Sequence, residues 1–289
     1  MTKQEFVVED TLKYSARQFA RTTLVGLGQL TAGLRMRPSF IIAGAQRCAT
    51  TSLFRMLARH PQVSPPLMNK GIHFFDTESR FARGANFYAG HFPLNRPGTK
   101  FQTCGEASPY YLFHPLSMQR IAQIAPQAQV IVLLRDPVER AYSAYKQEKG
   151  RGFETLSFKD ALDAEAQRLD GEEERIISDP MYQSFDHQHF GYTARGKYTR
   201  QLKRAESALA PGKLTVLDAD SFFRPELPGW DALLKQIGLD PWRPTEIVHS
   251  NARPSAELDP ALRERLNNVF AEENNELTNY LGYKPSWIS

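Results

Sequence analysis

The sequence predicts an α/β fold, a three-layer sandwich in which helices cover both faces of a central parallel sheet. Two short runs carry that prediction: residues 40–44 (Phe-Ile-Ile-Ala-Gly) and 130–134 (Val-Ile-Val-Leu-Leu) are apolar throughout, as strands buried on both faces are. Each leads through a polar turn into a stretch with helical apolar spacing, the alternation that parallel sheets require. A third strand candidate, 214–217, follows the turn at Pro211-Gly212.

Taken in order, residues 1–36 form a helical extension ahead of one domain over 37–289. Within that extension Leu24, Val25, Leu27, Leu30 and Leu34 make an apolar stripe interrupted by Arg21 and Gln29. It falls short of the about 20 apolar residues of a membrane span. It reads either as a helix packed on the domain or a partner chain, or as an amphipathic helix on a membrane surface, with Lys13, Arg17, Arg21 and Arg35 as anchors. Residues 51–60 carry Leu53, Phe54 and Leu57 on one helical face. Residues 152–189 are charged and helical in character, a lid or a substrate-facing insertion. The C-terminal helix has a capping Asp259, Pro260 at its first position, an apolar stripe of Leu262, Leu266, Val269 and Phe270, and a stop at Gly282.

Composition narrows the function. The 289 residues are 41% hydrophobic and carry 36 basic against 32 acidic side chains, a net charge of +4. The basic residues are dispersed, which suits a small anion or a glycan and argues against nucleic acid. Cys48 and Cys104 make neither a metal-ligand spacing nor a disulfide framework. With no apolar stretch near Met1 to mark a signal peptide, the expectation is a cytoplasmic protein with reduced thiols, peripheral to a membrane if the N-terminal helix lies on one. Oligomeric state is not legible.

The loop Gly44-Ala45-Gln46-Arg47-Cys48-Ala49-Thr50-Thr51-Ser52 joins the first strand to the first helix. Small residues allow an anion close to the backbone, the helix N-terminus offers N–H groups and a positive dipole end, and Thr50, Thr51 and Ser52 add hydroxyls. It is like a Walker A loop without the Gly-Lys-Ser/Thr ending. A γ-phosphoryl group is highly charged and needs Mg²⁺. A sulfuryl group carries less charge and can transfer without metal if a cation such as Arg47 neutralises the leaving phosphate.

The pattern strand–GxxxxxTTSL–helix resembles the 5′-phosphosulfate loop of sulfotransferases that use 3′-phosphoadenosine 5′-phosphosulfate (PAPS). The family usually has Lys at Arg47 and Gly at Ala49. Arg would act there as a fixed cation, and Ala should still fit if its backbone angles are helical. Residues 133–145 (Leu-Leu-Arg-Asp-Pro-Val-Glu-Arg-Ala-Tyr-Ser-Ala-Tyr) are similar to the family's 3′-phosphate motif, which implies that Arg135 and Ser143 meet one phosphate. Residues 70–76 (Lys-Gly-Ile-His-Phe-Phe-Asp) and 105–111 (Gly-Glu-Ala-Ser-Pro-Tyr-Tyr) resemble the KE(x)HFF and GE(x)SPxY segments of heparan-type and bacterial carbohydrate sulfotransferases. Arg195-Gly196-Lys197-Tyr198 and Asn251-Ala252-Arg253 resemble nucleotide-covering segments, so Tyr198, Asn251 and Arg253 join the loop residues, Cys48 and Gln46 among them, as donor-binding candidates. The likeness runs over about residues 40–287 and implies a P-loop-kinase-like layout, PAPS as co-substrate, no metal, and a carbohydrate or glycolipid hydroxyl, or an amine, as acceptor.

The relatives' usual base, a Glu directly after the Lys of KE(x)HFF, is Gly71 here. His73, Glu106 and Lys70 remain: His73 or Glu106 as base, Lys70 and His73 as acceptor or sulfuryl contacts. If residues 71–73 are extended, His73 faces the side from which the Glu is missing. A small-molecule kinase, disfavoured by the missing Walker Lys, and a non-catalytic nucleotide- or glycan-binding module are the alternatives.

Overall fold

The computed structural model describes residues 26, 28–64, 71–96, 98–99, 103–179, 181–247 and 257–288. Four strands, β1 (Phe40–Gly44), β2 (Gly105–Ala107), β3 (Gln129–Leu134) and β4 (Leu214–Asp218), form one sheet in the order β2-β1-β3-β4, with every neighbouring pair parallel. All residues of β1 and β3 are buried. Their unbroken apolar runs follow from that position, since both faces of the two central strands are covered. β2 escapes a reading by pattern. It is three residues long, opens on Gly105, and buries Glu106 at its centre.

The main helices are α1 (Thr50–Leu57), α2 (Ser117–Ile124), α3 (Pro137–Gly150), α4 (Phe158–Leu169), α5 (Glu172–Ser178), α6 (Phe185–His189), α7 (Tyr198–Ala208), α8 (Trp230–Gln236) and α9 (Pro260–Leu281). Local chemistry sets several boundaries. The Asp136 carboxylate accepts from Val138 N–H with Pro137 at the first helical position of α3. The Asp259 carboxylate accepts from Ala261 and Leu262 N–H, and Gly282 ends α9 in the left-handed region at φ 72°. The stripe of α9 differs from the expected one: Leu266, Phe270 and Leu277 are buried, whereas Val269 faces solvent. A 3.6-residue period cannot bury both Val269 and its neighbour Phe270 unless the apolar stripe is wide.

One apolar cluster surrounds the sheet. A second, with Val138, Phe158, Tyr192, Leu266 and Phe270, joins α3, α4 and α9. The described part of the N-terminal stretch rests on the domain. Gly28 packs so closely on Gly90 that a Cβ there would sit 2.4 Å from its carbonyl oxygen, and Met36 N–H donates to Pro93 O at 2.9 Å. Lys13, Arg17, Arg21, Leu24, Val25 and Leu27 lie outside the described residues.

The topology fixes the site. β1 and β3 are neighbours although some 90 residues separate them, and Ala45 N–H donates to Leu133 O at 2.8 Å where both strands end. The loops after the two strands therefore leave the same edge of the sheet side by side, the crevice where parallel α/β sheets hold ligands.

Candidate active site

Two residues of the loop between β1 and α1, Arg47 (φ 72°) and Ala49 (φ 57°), stand in the left-handed region. The condition for an unstrained Ala49, helical backbone angles, is therefore not met: it caps α1 from a left-handed conformation. A residue with a Cβ is strained there, which explains why glycine suits the position. Ser52 N–H and Leu53 N–H donate to Ala49 O at 2.9 and 3.1 Å, so α1 starts at Ala49, and a helix N-terminus at this loop offers a positive dipole end to an anion.

The structure brings Arg47 and Ser143 together: Arg47 Nε donates to Ser143 Oγ at 2.9 Å, and an Nη donates to Gln147 Oε1 at 2.6 Å. Arg135 stands at the C-terminal end of β3, its guanidinium 4.0 Å from Glu139 one helical turn on. Its carbonyl accepts from Tyr198 Oη at 2.9 Å, and that hydroxyl lies 3.7 Å from Cys48 Sγ. Burial pushes the Cys48 thiol up to about 11, so it is a neutral packing group.

Two further arginines, absent from the sequence-based candidates, complete this wall. Arg195 is buried, bonds the Gln46 side chain of the loop, and donates to the carbonyls of His187 and Gln188 at 2.8 and 2.6 Å. Burial lowers it to about 10, still a cation at neutral pH. Arg140 in α3 is wholly buried and donates to Tyr192 O. Arg140 Nε and Nη1 and Arg195 Nε have no hydrogen-bond partner among the described residues. Buried cations with donors to spare are costly unless an anion joins them, so these residues fit an anionic group at the loop. Arg195 is visible in the sequence only as part of its four-residue segment; Arg140 gives no signal of its own.

On the other side of β1, residues 71–76 lie against β2. The Glu106 carboxylate is buried and accepts from Tyr88 Oη at 2.9 Å, Ser108 Oγ at 2.7 Å, Ile72 N–H at 3.3 Å and Tyr111 Oη at 3.2 Å. Burial, partly offset by those donors, raises it to about 7. Ser108 Oγ in turn accepts from His73 N–H at 3.1 Å. Glu106 and Ser108 thus hold the backbone of the segment.

His73 is not extended; its φ is +50°. The two-residue alternation expected of an extended segment therefore does not apply, yet the tighter turn brings the ring to the same place. A Cβ built on Gly71 would lie 3.2 Å from His73 Nε2, so the imidazole fills the space a side chain at 71 would enter. His73 Nδ1 bonds Asp76 Oδ2 at 2.7 Å; the imidazole is 41% exposed and the Asp76 side chain 2%. Burial lowers His73, but the hydrogen bond and charge of Asp76 and the charge of Glu106 outweigh it, leaving the ring above its ordinary 6.5. Asp76 lies three residues beyond His73, a spacing visible in the sequence once His73 is singled out. His91 and His114 are buried. Lys70, Asn251 and Arg253 lie outside the described residues.

Known proteins match this arrangement. The sulfotransferase domain family matches residues 37–221. A sulfotransferase crystal structure from Alicyclobacillus acidocaldarius superposes with a TM-score of 0.64 at 30% identity, over 86% of this chain and 97% of that one. Among curated proteins, the membrane-associated sulfotransferase kil1 of Dictyostelium discoideum is 37% identical over 108 residues, covering 37% of this chain and 22% of that protein. Heparan sulfate glucosamine 3-O-sulfotransferase 5 of Mus musculus is 32% identical over 110 residues, 38% of this chain and 30% of that protein. The matched stretch thus spans less than a third of either curated relative.

Proposed function

This chain belongs to the sulfotransferase family, and from that premise we propose that it moves a sulfuryl group from PAPS to a hydroxyl of a carbohydrate or glycolipid, with His73 as base and without a metal. The observation that carries the choice of base is the position of His73 Nε2 beside Gly71, with Nδ1 held by Asp76.

The loop Gln46–Ser52 and the N-terminus of α1 receive the 5′-phosphosulfate, and Arg135 with Ser143 the 3′-phosphate. Tyr198, Asn251 and Arg253 belong to the donor site by family resemblance, and Lys70 to the acceptor side. With Nδ1–H donated to Asp76, His73 Nε2 keeps a lone pair and takes the acceptor's proton. The acceptor oxygen forms its bond to sulfur as the bond from sulfur to the 5′-phosphate oxygen breaks, and the charge left on that phosphate meets Arg47. Glu106 shares the candidate list but is walled in by Tyr88, Tyr111 and Ser108, so its part is to hold residues 72 and 73 in place.

Residues 37–289 form the catalytic domain in this reading, and residues 1–36 are an extension. Among the described residues no helix is long and apolar enough to cross a membrane. Leu30 and Leu34 are 84% and 67% exposed, which supports peripheral membrane contact by the extension. The thiols of Cys48 and Cys104 are unpaired and buried, which suits the cytoplasm.

The test incubates the protein with labelled PAPS and a lipid and glycan extract and identifies sulfated products by mass spectrometry. A labelled glycan or glycolipid is expected with wild type and none with His73→Ala. Full activity of His73→Ala together with loss in Glu106→Gln would transfer the base to Glu106.

A further inference from the structure

One segment takes no part in the scheme above, and its chemistry bears on the acceptor. Residues 152–189 hold ten carboxylates against Lys159, Arg168 and Arg175, a net charge of −7 within a chain of net charge +4. From outside the segment, Arg200 and Arg204 both meet Glu173 and Arg265 meets Asp163, and Glu154 and Glu165 are buried; the remaining carboxylates are still in excess. Yet the segment also carries large apolar side chains in the open. Phe153 is 42% and Phe185 49% exposed, and their rings meet edge to face with centroids 5.4 Å apart. Ile177 in α5 and Met181, just before α6, are exposed as well.

This patch adjoins the reaction site through three connections. Arg195 bridges the loop side chain of Gln46 and the carbonyl of Gln188 in α6. Arg47 of the same loop bonds Gln147, and the next residue of α3, Glu148, bonds His189 at 2.9 Å. His189 packs on both Phe153 and Phe185. On its other side α6 reaches the segment after β2, where His187 Nδ1 and Tyr110 Oη are 2.7 Å apart. The helix that carries Phe185 is therefore braced between the phosphate loop and the segment that holds His73.

A segment with an excess of carboxylates repels a polyanionic chain such as a uronate-rich or already sulfated glycan. Exposed aromatic rings gain by covering apolar surface. Resting on the sulfotransferase reading above, we propose that the acceptor is an uncharged glycolipid, whose apolar body lies on the Phe153–Phe185 ledge while its sugar hydroxyl reaches His73.

The test measures binding to this chain saturated with 3′-phosphoadenosine 5′-phosphate (PAP), by calorimetry, with three probes: octyl β-galactoside below its micelle concentration, methyl β-galactoside, and heparosan, whose uronates are charged. Octyl galactoside is expected to bind at least ~10-fold more tightly than methyl galactoside, with heparosan the weakest. Phe185→Ser should erase most of the octyl advantage and Phe185→Leu should keep it, while PAP affinity in both variants reports an intact fold. Equal affinity for the two galactosides, or preference for heparosan, in a protein that binds PAP would overturn the acceptor class and leave sulfuryl transfer standing. Failure to bind PAP would remove the reading beneath it as well.

Discussion

Asp76 governs how readily His73 accepts a proton. Against the lowering by burial, its hydrogen bond and charge hold the imidazole above 6.5, and if His73 is the base as proposed it must be deprotonated to act, so activity should fall as pH drops through that raised value. In Asp76→Asn the bond is weaker and the charge gone. The acid limb of kcat/KM should then move to lower pH and the plateau should fall by roughly 10- to 100-fold, readable from a pH–rate profile; an unmoved limb would remove Asp76 from the scheme. Glu106 gives a different signature. Its folded value of about 7 exceeds its ordinary 4.5, so stability present below pH 4.5 is lost as pH rises through about 7, at about 1.4 kcal/mol per unit of difference. Melting curves from pH 4.5 to 8 should show this fall in the wild type, reduced in Glu106→Gln, where Tyr88 and Tyr111 hydroxyls can turn to accept. At Ala49 the left-handed φ of 57° makes glycine the better residue, and Ala49→Gly should add about 1 kcal/mol of stability by denaturant titration. His73 could be singled out in the sequence because Gly71 vacated the usual position of the base. The left-handed turn at His73 could not, because a positive φ in a residue other than glycine leaves no local mark; at Ala49 its one trace is the glycine that the resembling family usually carries.

Elements were legible in proportion to how fully their surroundings dictated their residues. β1 and β3, covered on both faces, are unbroken apolar runs, and α9 carries its own start and stop in Asp259, Pro260 and Gly282. β2 is the opposite case. Its three residues are chosen by tertiary neighbours: Gly105 faces the Phe40 ring, which a Cβ would approach to 2.3 Å, and Glu106 is bound by donors from three other segments. Gly105→Ala should accordingly displace β2 or Phe40, costing roughly 1–3 kcal/mol by thermal or chemical unfolding. Activity should fall further than nucleotide binding, because the shift passes through Glu106 to residues 72 and 73. Equal loss of both would mean that β2 supports the fold as a whole and not the base in particular.

At the scale of the molecule, the parallel order β2-β1-β3-β4 places three separate stretches of chain at one sheet edge: the loop after β1, the Arg135–Ser143 helix start after β3, and the His73 segment beside β2. The first two were legible as motifs, and their proximity follows from the adjacency of β1 and β3. Arg140 and Arg195 were not, since a buried arginine is an ordinary basic residue in sequence and gains meaning only from what surrounds it. The proposed role of this edge is to hold a nucleotide with phosphates on both the 3′ and 5′ positions of its ribose. Calorimetric titration of the wild type and of Arg135→Ala with PAP and with adenosine 5′-phosphate tests it most directly. PAP is expected to bind far more tightly than adenosine 5′-phosphate, and Arg135→Ala to weaken PAP about tenfold or more while leaving adenosine 5′-phosphate nearly unchanged. Equal affinity of the wild type for the two nucleotides would contradict it.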